Sequence, residues 1–174
     1  MSSQLPNREQ AIALLRQNNC QPQVINHCLA VTKLALEIAG KLQQKGLKID
    51  IQLIEAGALL HDLGRSKSHT VNHAVVGAQI AISLGLPEAL VNIVKRHVGA
   101  GITAEEAQWL GWPKDIYFPQ TLEEKIVSYA DKRIDQSKTI PIEKEIERLQ
   151  RANKKEAAER VRKLHQEITS LLGN

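Results

Sequence analysis

Hydrophobic positions recur at intervals of three and four along most of the chain, and no stretch alternates convincingly with period two. The pattern predicts a succession of helices. Arg8 to about Gln17 gathers Ala11, Ile12 and Leu15 on one side, and Asn18-Asn19-Cys20-Gln21-Pro22 reads as a break. From Gln23 to about Gln44, Val24, Cys28, Val31, Ala35, Ile38 and Leu42 share one face, with His27 at its edge and Gly46 as the stop. Asp50 is placed to cap a helix over Ile51 to Leu63. That helix is apolar nearly all round, which predicts a central position, and Gly64 is its expected stop. Further helices are expected from Thr70 or Asn72 to Leu84, from Pro87 to His97 and from Leu122 to Ile134. Gly99 to Thr121 is irregular, with one helical turn at Ala104-Glu105-Glu106-Ala107. From Ile142 to about Leu172 a stripe of Ile146, Leu149, Asn153, Ala157, Val161, Leu164, Ile168 and Leu171 keeps helical period. Unbroken, that helix would be about 45 Å long, longer than a small domain is wide. Either it breaks near Ala152-Asn153 or part of it covers a partner subunit as a homodimer contact. The expected class is all-α.

Composition narrows this picture. A chain of 174 residues can bury a full core and is expected to form one domain, residues 1–174. It is 43% hydrophobic but only 3% aromatic, so Leu, Ile, Val and Ala must build that core. No apolar run approaches the ~20 residues that span a bilayer, and the N-terminal residues lack a secretory pattern. Cys20 and Cys28 form neither a disulfide framework nor a Cys-x-x-Cys pair, so a reduced, cytoplasmic protein is expected, with Cys28 a buried thiol. The net charge of +4 is a weak argument for nucleic acid, which is not the expected partner. No phosphate-loop or dinucleotide-binding glycine pattern occurs.

The chemistry concentrates at Leu60-His61-Asp62-Leu63-Gly64-Arg65, at the end of the most apolar helix. An unpaired aspartate buried there would cost several kcal/mol, so it needs either a salt bridge or a bound cation. His97, like His61, falls at a helix C-terminus, where free carbonyls favour a cation. His73 falls in a first helical turn, where free N–H groups suit an anion such as phosphate. Asp131 shares a helix face with Val127 and Ile134 and points to the core side. A metal is one consistent explanation for these placements, and imidazole with carboxylate suits Fe, Mn, Zn, Co or Ni rather than Ca.

His27, His61-Asp62 and Asp131 in this order resemble the His…His-Asp…Asp signature of the HD superfamily of metal-dependent phosphohydrolases. Leu60 to Arg65 is similar to the HDIG form of the motif, with Leu63 in place of isoleucine. His73-Ala74-Val75-Val76-Gly77-Ala78, Arg96-His97 and Glu124 to Lys132 continue the resemblance, which spans about residues 20–135, with residues 141–172 as a helical extension. The resemblance implies an HD-domain helical bundle with a long C-terminal helix or helix pair. It implies that His27, His61, Asp62 and Asp131 hold one metal ion, and that His73 and His97 hold a second, with Asp62 bridging. The implied reaction is attack of a metal-held hydroxide on a small phosphate ester or anhydride, above all of a nucleotide. Arg65, Lys132 and Arg96 stand beside ligands and could neutralise charge on the phosphate. A single-metal 5′-nucleotidase, using only the first four ligands, and a nucleotide-sensing module with little turnover are the alternatives.

Other features stay open at this level. Trp109, Trp112, Tyr117 and Phe118 crowd one loop, either as a lid that stacks on a nucleobase or as a cluster pinning the loop to the body. Arg65 reads equally as a phosphate contact or as a cap on the preceding helix. His69 is at best a substrate contact, and His165 is expected on the surface.

Overall fold

The computed structural model describes residues 4–173. Its helices are α1 (Arg8–Gln17), α2 (Pro22–Gln44), α3 (Ile51–Leu60), α4 (His73–Ser83), α5 (Glu88–Arg96), α6 (Ala104–Trp109), α7 (Leu122–Lys132), α8 (Ile142–Arg151) and α9 (Lys155–Leu172). Asn7 and Thr103 close capping boxes with Gln10 and Glu106, and the Asp50 carboxylate accepts from the Leu53 N–H, as its position predicts.

The all-α expectation holds, with one addition. Between α7 and α8 the chain forms a short antiparallel hairpin, β1 (Ile134–Asp135) against β2 (Lys138–Thr139). The expected helix over Leu122 to Ile134 therefore stops at Lys132. Two-residue strands are too short for a period of two to register in the sequence.

Helix α3 is central because both of its sides are used. Ile54 and Ala58 pack in a large cluster with α2, α7, α8 and α9, while Ala56, Leu59 and Leu60 pack with α1, α4 and α5. The C-terminal stripe does break where its length required: α8 ends at Arg151, Asn153 takes a positive φ of 58°, and α9 turns back. Ile142, Ile146, Ala158, Val161, Leu164 and Ile168 are buried in the same large cluster, so the chain's own core uses the stripe that a partner subunit would have needed.

At the end of α3 the expected helix through Leu63 gives way earlier, at Leu60, to a 3-10 turn over Leu63–Ser66. Gly64 is thus no helix stop. It lies against the backbone of α4: a Cβ there would sit 1.9 Å from the His73 carbonyl oxygen and 2.6 Å from the Gly77 nitrogen. Gly77 answers from the other side, where a Cβ would meet the Gly64 nitrogen at 2.9 Å. Two facing glycines let turn and helix touch backbone to backbone, which brings His73 up to Asp62.

Candidate metal centre

Six side chains from five places in the chain converge at one spot. His27 comes from the second turn of α2, His61 and Asp62 from the end of α3, His73 from the start of α4, His97 from the end of α5 and Asp131 from the last turn of α7. These are the six expected ligands, and the fold brings all of them together.

Each histidine is held the same way. Nδ1 of His61, His73 and His97 lies 2.7 Å from the carbonyl three residues earlier, at Ala58, Thr70 and Val94. Nδ1 of His27 lies 2.8 Å from the carbonyl of Gln136 in the hairpin, 109 residues away. A carbonyl only accepts, so each Nδ1 carries the proton and each Nε2 presents a lone pair to the cluster. Ser128 Oγ adds a bond of 2.9 Å to the His97 carbonyl from α7.

Asp62 stands between two groups of these nitrogens. Its Oδ2 lies 3.8 Å from Nε2 of His27 and 3.7 Å from Nε2 of His61, while its Oδ1 lies 3.1 Å from His73 and 3.5 Å from His97. Asp131 Oδ1 is 2.9 Å from His27 and 3.4 Å from His61.

Two observations test whether a cation fits. His61 Nε2 is fully buried and has no hydrogen-bond partner. Nε2 of His73 and Nε2 of His97 face each other at 3.0 Å, although each ring has its N–H committed to a carbonyl on the other side. Two lone pairs at that distance repel unless a proton or a cation satisfies them. Candidate ligand atoms of His27, His61 and Asp131, and of His61, Asp62 and His97, lie within 4.8 Å of one another. These His/Asp clusters are consistent with a metal site of the kind typical of HD domains.

The comparisons agree with this geometry. Residues 24–134 match the HD domain family. The chain belongs to that family. An uncharacterized protein of Methanocaldococcus jannaschii is 44% identical over 166 residues, covering 94% of this chain and 98% of the relative. A tRNA (cytidine(56)-2'-O)-methyltransferase of Picrophilus torridus is 38% identical over 97% of this chain, which spans 48% of that protein. A Ribonuclease Y of Acidothermus cellulolyticus is 38% identical over 76 residues, 42% of this chain and 14% of the relative. Among solved structures, the HD domain of the L. monocytogenes phosphodiesterase PgpH in complex with cyclic-di-AMP superposes with a TM-score of 0.58. It covers 92% of this chain and 96% of its own at 18% identity, which shows a shared fold.

Within this HD domain the charges are strongly coupled. Burial opposes ionisation of Asp62, but the neighbouring His61, His73 and His97 outweigh it and hold the carboxyl well below its usual range. Asp131 is likewise held well below that range, burial being outweighed by Lys132, His27 and His61. Burial, with the neighbouring His61 and His73, pushes His97 down to about 4 against the pull of Asp62. Cys28 is fully buried beside the site, and both cysteines are free. Burial raises their thiols, Cys20 to about 11.

The cations divide. Lys132 pairs with Asp131 and Arg65 approaches Asp62 at 3.5 Å, and both line the groove above the cluster. Arg65 donates to the His69 carbonyl at 2.8 Å rather than to the end of α3, so it does not cap the preceding helix. Arg96, by contrast, forks onto buried Glu124 at 2.9 and 3.1 Å and is committed there. His165 is half-buried rather than on the surface, with Nδ1 2.8 Å from the Tyr129 hydroxyl.

The aromatic loop splits as well. Trp112 and Tyr117 are buried with ring centres 4.9 Å apart, and the Trp112 indole donates to Asn72 at 2.7 Å, which pins the loop to the start of α4. Trp109, at the end of α6, is 87% exposed and lines the groove. Periodicity does not reach the hairpin carbonyl that orients His27 or the α8–α9 residues along the groove. Both depend on segments folding back over long sequence separations.

Proposed function

We propose that the chain is a metal-dependent phosphohydrolase that holds two transition-metal ions, from among Fe, Mn, Zn, Co and Ni, and acts on a phosphate ester or anhydride of a nucleotide. The observation that carries this reading is the set of four buried or half-buried imidazoles, each turned by a carbonyl so that Nε2 faces Asp62 or Asp131. His27, His61 and Asp131 would hold one ion, His73 and His97 the other, and Asp62 both, since its two oxygens face the two groups. When bound, such ions lower the pKa of water from about 15.7 toward ~7 and draw charge from phosphoryl oxygens. The chain's own part is to fix the donors before substrate arrives. Lys132 and Arg65, at the rim of the cluster, place positive charge beside an incoming phosphate and screen it from Asp131 and Asp62.

Relatives named for RNA enzymes, Ribonuclease Y and the tRNA methyltransferases, support an RNA-derived substrate as the more specific form of this reading. The chain spans about half of each methyltransferase, so methyl transfer is not inferred from it. The test is metal analysis joined to turnover. Reconstituted with Mn, the chain is expected to bind two ions and to hydrolyse bis(4-nitrophenyl) phosphate. A protein that binds no metal on reconstitution overturns the reading, and one ion with release of phosphate from nucleoside monophosphates points to a 5′-nucleotidase instead.

A further inference from the structure

The groove above the cluster is larger than one phosphate ester needs. Its volume is about 1180 Å³, above the ~300–1,000 Å³ that encloses a drug-sized ligand. His27, Asp62, His73, His97 and Asp131 lie on its floor. Much of its wall comes from α8, α9 and the turn between them, beyond the residues that match the family.

That wall carries four cations against two acids, Glu145 and Glu156, and its cations are incompletely satisfied. Arg148, Lys154, Lys155 and Arg160 all line the groove. Lys154 and Lys155 are exposed and form no ion pair among the described residues. Arg148 is 58% exposed and divides itself between Asp135 and Glu145. Arg160 reaches Glu106 on α6 at 2.9 Å, yet its Nε is buried without a partner. Glu106 lies one turn before Trp109, so the Arg160 contact joins this wall to the segment that carries the exposed indole. The rest of the aromatic cluster pins its loop without Trp109. Its ring contributes nothing to a core, and its one shared feature with the site is the groove.

We infer that this wall is a second-phosphate subsite, with Trp109 stacking on a base and Arg148, Lys154, Lys155 and Arg160 receiving a phosphate one nucleoside away from the scissile one. The inference rests on the phosphohydrolase reading above and narrows its substrate to a nucleotide chain, a dinucleotide or short oligonucleotide. A nucleoside monophosphate would place its single phosphate at the cluster and leave the wall unused. In the reaction, the water oxygen bonds to phosphorus as the bond to the leaving nucleoside oxygen breaks. One water proton ends on that oxygen, and the other stays with the phosphate monoester or passes to solvent. Stacking is sequence-tolerant, because every base presents a π-face, so the subsite selects for chain length rather than for base identity.

The experiment compares the Mn-loaded full chain on 5′-phosphoadenylyl adenosine, AMP, ATP and bis(4-nitrophenyl) phosphate, with binding of the labelled dinucleotide measured alongside. The dinucleotide is expected to exceed both AMP and ATP in kcat/KM by about tenfold or more. Trp109→Ala and the double variant Lys154→Ala/Lys155→Ala should each lower the ratio of dinucleotide to bis(4-nitrophenyl) phosphate turnover about tenfold, through KM, and weaken dinucleotide binding equally. Lys163→Ala, on α9 but outside the groove, should leave the ratio alone. A preference for AMP or ATP overturns the subsite, as does unaltered dinucleotide binding and turnover in both variants. Failure of the parent reading looks different: the wild type leaves bis(4-nitrophenyl) phosphate intact with every metal, and the binding arm still decides the subsite.

Discussion

The floor and the wall of the groove are built on opposite terms. On the floor His61, His73 and His97 are almost wholly buried, each ring locked by a carbonyl of its own segment, and the carboxylates are ringed by imidazoles. On the wall, Lys154 and Lys155 stand in solvent and Arg148 is shared between two surface acids. Chemistry on a phosphate needs donors placed before the substrate arrives, because reorganising buried charge during the reaction is costly. Holding a distant phosphate needs positive charge within reach more than fixed geometry, and exposed lysines supply it. On the proposed reading, reaction belongs to the floor and selection to the wall.

The sharpest way to break that division is Asp62→Ala. Removing the one carboxylate that faces both groups of histidines should lower hydrolysis by at least about 10³-fold and reduce bound metal, read by metal analysis with steady-state rates. Next, His97→Ala should leave about one ion per chain while the ion beside His27 remains, and His27→Ala should do the reverse. Loss of both ions in either variant would show the floor to be one unit rather than two halves. Gly64→Ala tests the packing that brings the halves together. Its Cβ would meet the His73 carbonyl at 1.9 Å, so turn and α4 must part, at a cost of about 3 kcal/mol and a fall of roughly 6–12 °C in Tm.

Acidity discriminates further. Burial works against a charged His61, but the carboxylates of Asp62 at 3.7 Å and Asp131 at 3.4 Å outweigh it and raise its pKa well above the usual value. Protons and a metal therefore compete for the same Nε2 lone pairs, so affinity should rise with pH and binding should release protons. Calorimetry in buffers of different ionisation enthalpy measures that release. The smallest effect belongs to the wall. Glu106 is held below its usual pKa: burial opposes this, but the Thr103 N–H and Arg160 prevail. Its folded value lies below its unfolded one, so the stabilisation is present above about pH 4.3 and fades as pH falls through the folded value. Its side chain is 34% exposed, so Glu106→Gln should cost at most about 1 kcal/mol at neutral pH in a denaturant titration.

The floor was far more legible in the sequence than the wall. His61-Asp62 announces itself because a charged pair ends an otherwise apolar helix, and His97 and Asp131 are marked by helix ends and faces that a 3.6-residue period reveals. The role of Gly64 was not legible as such. A glycine after a helix looks like a stop, and only the approach of α4 shows that it removes a side chain from a backbone contact. Arg96 and His165 misled for a related reason: each found a partner, Glu124 or Tyr129, whose distance in sequence hides it. Trp109 could not be separated from Trp112 by pattern, since both lie in one short loop and differ only in which way the fold turns them.

By itself, then, the order of residues determined the helices, the break in the C-terminal stripe and the six side chains able to share a metal, because these depend on local periodicity and on the chemistry of each residue type. Tertiary structure alone decided that Gln136 orients His27, that two glycines close the gap between Asp62 and His73, and that α8 and α9 wall the groove. Those depend on backbone contacts and on segments that meet only after folding, which periodicity along the chain does not encode.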